Sequence, residues 1–232
     1  KFTYFRGRGL GEMVRFLLAA CGYEIEPSYL DTPEDLARLR AAGLLFANQV
    51  PLLEVDGSGP VVQSMACLRF LARKHGFYGN PGEEVLVDMV GDTVRDFLSK
   101  FTGLPFMFDK EGPGGEDLRA VAIDEIATKW APKYLAVLER ALRENPHNKD
   151  ISESLPVPLL VGNSITWPDV TLTEVTLYCE EIIPDVLDAY PLLSRHLAGM
   201  RNWGGLKKYL ESPLRHPVGD RAYKASVIAV LS

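Results

Sequence analysis

The patterning of the chain changes once, between Gly76 and Glu84, and this change constrains the fold more than any other feature. Before it, short β-prone stretches alternate with helical stripes. After it, nearly every segment repeats with helical spacing. Gly76, Gly79, Asn80, Pro81 and Gly82 break the periodicity in between, as a linker does. A mixed part followed by a helical part predicts two domains, residues 1–79 and 84–232, and a chain of 232 residues with 47% hydrophobic composition can fill two modest cores.

In the first part, Phe2 to Phe5 reads as a strand. Gly7, Gly9 and Gly11 make a turn, and Met13, Phe16, Leu17 and Ala20 form a helical stripe that stops at Gly22. Strands follow at 24–29, 51–55 and Val61–Val62, with helices at 33–40 and 64–75 and a turn at Asp56-Gly57. The predicted order is β-α-β-α-β-β-α. Beyond the linker, helices are predicted over about 84–102, 116–143, 166–182, 190–200 and 204–211, with an apolar tail at 225–231. Thr166-Trp167-Pro168-Asp169 is a capping box with proline in the first turn, a folding signal without catalytic meaning.

The net charge of -6 argues against nucleic acid or an anionic membrane surface as the main partner. Residues 1–80 are nearly balanced, so the first part would receive a small anion better than the acidic remainder. Cys21, Cys67 and Cys179 are odd in number and form no metal-ligand spacing, which points to reduced thiols in a cytosolic setting and to no metal site. No apolar run approaches the length of a membrane span.

Tyr4-Phe5-Arg6-Gly7-Arg8-Gly9, Arg15 and Leu17-Leu18-Ala19-Ala20 resemble the first strand and helix of cytosolic glutathione transferases, the alpha class in particular. Asn48-Gln49-Val50-Pro51-Leu52, Asp56-Gly57 and Gln63-Ser64 continue the likeness at the family's spacing. Leu160-Val161-Gly162-Asn163 and the capping box extend it through about residue 212. The resemblance implies a thioredoxin-like N-terminal domain and an all-helical C-terminal domain, assembled as a homodimer. It also implies conjugation of reduced glutathione to hydrophobic electrophiles, with glutathione as co-substrate and no further cofactor.

By the same resemblance, Tyr4 holds the glutathione sulfur as a thiolate and Arg8 adds positive field. Read alone, Tyr4 fills a strand position among Phe2 and Phe5. The family implies a cis bond before Pro51, with Gln49, Val50 and Pro51 receiving the cysteinyl unit along a strand edge. Gln63 and Ser64, at a helix start, would take the γ-glutamyl carboxylate, although Ser64 alone is an ordinary N-cap. Arg40 would pair with the glycyl carboxylate. Asp96 would reach the partner subunit's glutathione, and Lys129 stands where alpha-class sequences usually carry arginine. Arg6, Gly7, Leu104, Phe106, Met107 and Phe108 would line the electrophile site, with Val227, Ile228 and Leu231 as a lid. Packing of 104–108 as plain core is the alternative.

Two positions depart from the alpha pattern. Leu10 replaces an arginine, as in mu and pi sequences, and Phe46 precedes Ala47, where the alpha-class aromatic dimer key falls. Gly7-Arg8-Gly9-Leu10-Gly11 lacks the last glycine of a dinucleotide fingerprint, where Glu12 stands. The rival functions are a non-catalytic glutathione or ligand binder, a lens crystallin, and a glutathione-dependent isomerase or peroxidase on the same scaffold.

Overall fold

The computed structural model describes residues 1–149 and 157–232. Four short strands form one sheet in the order β2-β1-β3-β4, with β1 Phe2–Tyr4, β2 Pro27–Tyr29, β3 Leu52–Leu53 and β4 Val61–Val62. β1 runs parallel to β2, so a crossover must join them, and α1 (Gly11–Ala20) supplies it. β3 lies antiparallel to both β1 and β4, and the hairpin between β3 and β4 turns at Gly57, whose φ is 76°. The second strand is shorter than the predicted 24–29, beginning only at Pro27.

α1 is buried from Gly11 to Ala19, which explains why it has so little polar face. It packs against α3 (Ser64–His75), α7 (Trp167–Ile182) and α9 (Gly204–Leu210), joining the sheet to the helical part. The remaining helices are α2 (Pro33–Ala41), α4 (Glu84–Leu98), α5 (Leu118–Glu125), α6 (Ala131–Glu144), α8 (Pro191–Arg201) and α10 (Arg221–Leu231). α3 ends at Gly76 in the left-handed conformation, at the point where the helical periodicity of the sequence breaks.

The single helix predicted over 116–143 is instead α5 and α6 joined by a π-helical turn, Ile126–Trp130. Pro132 is the local cause: it has no N–H to offer and its ring crowds the carbonyl one turn back, so the backbone widens there. The apolar tail becomes helical at Arg221, four residues earlier than predicted, because the Asp220 side chain accepts the backbone N–H of Tyr223 at 2.8 Å.

α7 is the central strut, buried from Trp167 to Cys179. Its buried Asp169 carboxylate accepts the Thr166 N–H and the Leu160 N–H, both at 2.8 Å, and the Thr166 hydroxyl at 2.6 Å. The capping box therefore ties the preceding loop to the helix as well as closing the helix end. Burial pushes the thiols of Cys21, Cys67 and Cys179 to about 12, so all three stay protonated at neutral pH. Among the described residues no helix is long and apolar enough to cross a membrane.

Candidate active site

Strand register assembles one end of the sheet. Thr3 pairs with Leu52 and Leu52 with Val62, so the next row across the sheet is Tyr4, Pro51 and Gln63. Adjacent strands lie about 4.8 Å apart, so this row spans roughly 10 Å, the length of an extended tripeptide. The Val50–Pro51 bond is cis, and Val50 lies just before the paired residues of β3.

Tyr4 is buried, and its hydroxyl oxygen accepts the backbone N–H of Leu10 at 3.0 Å. Burial raises the phenol's pKa above its ordinary value, while the Leu10 N–H and the Arg15 guanidinium pull it back. The phenol therefore keeps its proton. A Cβ on Gly9 would stand 2.5 Å from that hydroxyl, and one on Gly11 would stand 2.5 Å from the ring, so both glycines are set by the approach of Tyr4.

At the far end of the row, Gln63 has φ 71° and ψ 117°, a strained conformation for a residue with a side chain. Ser64 follows as the buried first residue of α3, and neither its hydroxyl nor the capping Gln63 side chain makes a hydrogen bond among the described residues, which leaves the hydroxyl and the first-turn N–H groups open to a ligand. Gln49 and Arg40 are exposed beside this edge, and Arg40 donates to the Asn48 carbonyl from Nε at 3.3 Å and Nη2 at 3.2 Å.

Arg8 is buried. Its guanidinium pairs with Glu181 of α7, and its Nε donates to the His216 carbonyl at 2.7 Å. Arg15 and Arg95 are the guanidiniums whose charge acts on the Tyr4 phenol. Arg15 sits 5.7 Å over the Tyr4 ring, held by Glu12 at 2.9 Å.

The 3-10 turn Leu104–Met107, expected to line the electrophile site, packs against α10. Leu104 is core, whereas Phe106, Met107 and Phe108 are half-buried. Arg6 is turned toward β2, paired with Asp31 and 4.2 Å over the Tyr29 ring. On α10 the inward side chains are Tyr223, Val227 and Val230; Ile228 and Leu231, expected in the lid, are exposed. Val230 packs with Leu30, Leu36, Leu45 and Leu52, which seats the tail on the sheet domain. Asp96 is exposed on α4, and Lys129 pairs with Glu125 at 2.9 Å on the helical surface.

Family models describe both parts of the chain: the glutathione S-transferase N-terminal domain matches residues 1–73 and the glutathione S-transferase C-terminal domain matches 106–213. The chain belongs to the glutathione S-transferase family. It is 34% identical to glutathione S-transferase alpha-4 of Rattus norvegicus over 233 residues, covering 100% of this chain and 97% of the relative. It is 35% identical to glutathione S-transferase A4 of Mus musculus over the same coverage. The glutathione S-transferase structure from Ascaris lumbricoides superposes with a TM-score of 0.72 at 30% identity, covering 90% of this chain and 94% of that one. The protein is thus a glutathione transferase with the thioredoxin-like plus helical architecture of its family.

Sequence reasoning about this transferase missed Tyr223. Its ring lies against Gly7, where a Cβ would stand 2.2 Å away, and its hydroxyl lies 3.2 Å from the position of a Gly9 Cβ, beside Tyr4. The ring also faces Phe106 at 6.1 Å. Spacing at 223, 227 and 230 was the available signal, masked by the apolar run at 225–231. The tethers of the tail were also missed. Arg215 bridges Glu12 at 2.8 Å and Glu181 at 3.3 Å, and Tyr209 donates to Glu12 at 2.9 Å.

Proposed function

We propose that this transferase conjugates the thiolate of reduced glutathione to hydrophobic electrophiles in the cytosol, as a step in their detoxification, with Tyr4 stabilising the thiolate. The observation that carries this reading is the Leu10 N–H bond to the Tyr4 oxygen: with that lone pair engaged, the phenol proton is left to donate outward. A free cysteine thiol ionises near pH 8.5, and lowering that by two units takes about 2.7 kcal/mol. A hydrogen bond to a charged acceptor contributes about 1.5–3 kcal/mol, enough for a major share of that shift. Retention of the proton by the buried phenol supports its role as donor rather than base.

In this reading the tripeptide lies along the row Tyr4, Pro51 and Gln63, its cysteinyl backbone beside Gln49 and Val50. The γ-glutamyl carboxylate meets Gln63, Ser64 and the start of α3, where the helix dipole favours an anion. Arg40 takes the glycyl carboxylate. The electrophile rests against Gly7, Phe106, Met107, Phe108 and Val227. Two copies pair through an apolar face that includes Phe46, Val85 and Met89, which are 94%, 72% and 62% exposed in the single chain. Asp96 and Lys129 then act on the partner's tripeptide. No cofactor is needed beyond the co-substrate.

The test is conjugation of 1-chloro-2,4-dinitrobenzene by native protein and by Tyr4→Phe, with ultraviolet titration of the bound thiolate. An unchanged rate in the variant, or a bound sulfur that ionises at the same pH as free glutathione, overturns the assignment.

A further inference from the structure

The arginines around the electrophile side are held by carboxylates, with one exception. Arg8 pairs with Glu181, Arg15 with Glu12, Arg215 with both, and Arg221 with Asp109. Arg119, the second residue of α5, has no carboxylate within 4.0 Å and no hydrogen-bond acceptor among the described residues, and its Nε is buried without a partner. The Asp117 side chain that caps α5 takes the backbone N–H groups of Arg119 and Ala120, at 2.8 and 3.3 Å, so the guanidinium is the part of Arg119 left open.

Arg119 lies at the electrophile wall. Its guanidinium sits 4.4 Å over the Phe108 ring, which Arg221 also approaches at 4.8 Å. Its charge acts on the Tyr178 phenol of α7, and Tyr178 in turn acts on the Tyr223 phenol, which lies beside Tyr4. Among the described residues neither hydroxyl makes a hydrogen bond, so this wall presents a guanidinium and two phenols with no protein acceptor. A half-buried charged donor without an acceptor is costly for folding alone, and an incoming anion satisfies it.

We propose that Arg119 is a specificity-determining residue that receives a carboxylate carried by the electrophile, while Phe108 supports the electrophile's apolar body. A carboxylate fits because the planar guanidinium fork matches its two oxygens. The inference rests on the reading of 106–108 as the electrophile wall. Chemistry at sulfur is unaltered: with an aryl chloride, the thiolate forms the C–S bond, chloride leaves with the bonding pair, and the carboxylate is not consumed.

The experiment compares 4-chloro-3,5-dinitrobenzoate with its methyl ester, each kcat/KM divided by the uncatalysed rate with glutathione, in native protein, Arg119→Gln and Arg119→Lys. Native protein is expected to favour the acid by about tenfold. Arg119→Gln brings the acid-to-ester ratio close to one, chiefly through a lost acid rate, and Arg119→Lys keeps part of it. Equal rates for acid and ester in native protein, or parallel loss of both in Arg119→Gln, overturn the proposal.

Calorimetric binding of S-(4-carboxybenzyl)glutathione and its methyl ester to native protein and Arg119→Gln decides the same point without turnover: the acid must bind tighter to native protein, and that preference must be lost in the variant. If neither substrate is turned over but the acid conjugate still binds tighter, the assignment of Tyr4 fails and that of Arg119 stands.

Discussion

The backbone N–H of Leu10 donates to the phenol oxygen of Tyr4 at 3.0 Å, across six residues of chain. The bond depends on the turn between them, because Gly9 has φ 43° and leaves the space into which the Tyr4 hydroxyl fits. It engages one face of the oxygen, so the hydroxyl proton is the group left to donate outward. The residue at position 10 thus contributes through its amide, and the replacement of an arginine by Leu10 leaves this contact intact.

Tyr4→Phe is expected to lower kcat/KM by about 10- to 100-fold, the equivalent of one charge-assisted hydrogen bond. The loss is largest near neutral pH and shrinks as the solution approaches the pKa of free glutathione. Binding of glutathione to an affinity resin is retained, because the row from Pro51 to Ser64 is untouched. A pH–rate profile of the two proteins measures both effects.

Gly9→Ala is expected to impair activity more than stability. The new methyl would stand 2.5 Å from the Tyr4 hydroxyl, at a backbone angle that side chains adopt at a cost of about 1 kcal/mol or more. Displacement of the phenol should cost at least tenfold in kcat/KM. Circular dichroism and a thermal melt, set beside the kinetics, separate this outcome from unfolding.

Gly91→Ala tests the crossing of α4 and α7. A Cβ there would overlap the buried Trp167 ring, with the nearest ring atom 1.8 Å away. Overpacking should outweigh the gain in helix propensity and destabilise the protein by about 2 kcal/mol, read from the denaturant midpoint.

Glu174 is fully buried in α7, and neither of its oxygens has a hydrogen-bond partner among the described residues. Burial is the main cause that pushes its carboxyl up to about 8, with Glu12 adding to the shift and Arg215 and Arg8 opposing it. The folded state thus holds a proton that the unfolded chain releases near its ordinary value of 4.5. Stability from this group is present below pH 4.5, is lost as pH rises to about 8, and is level above that, a change on the order of 5 kcal/mol. Glu174→Gln should remove the decline, so its stability relative to native protein rises across that window. A constant difference between the two proteins from pH 5 to 9 in urea titrations would contradict this.

Much of the sheet end around Tyr4 was legible in sequence because its parts are local. Strand, glycine turn, helix start and capping box each depend on residues within a few positions of one another, so Tyr4, Val50-Pro51 and Gln63-Ser64 could be placed on their elements before any coordinates. The π-helical turn at Ile126–Trp130 was not legible, since Pro132 signals an interruption without saying whether the helix stops, kinks or widens.

The sequence by itself determined the two-part architecture and the order of elements, because backbone periodicity and turn chemistry are short-range. Only the tertiary structure decided which side chains face one another across the joint. It turned Arg8 toward Glu181, brought Tyr223 beside Tyr4 from more than two hundred residues away, buried Val227 and Val230 while leaving Ile228 exposed, and left the Arg119 Nε without a partner among the described residues. Those outcomes depend on how α7 and the tail pack against the sheet domain, and side-chain pairing at such separations leaves no periodic trace in a single chain.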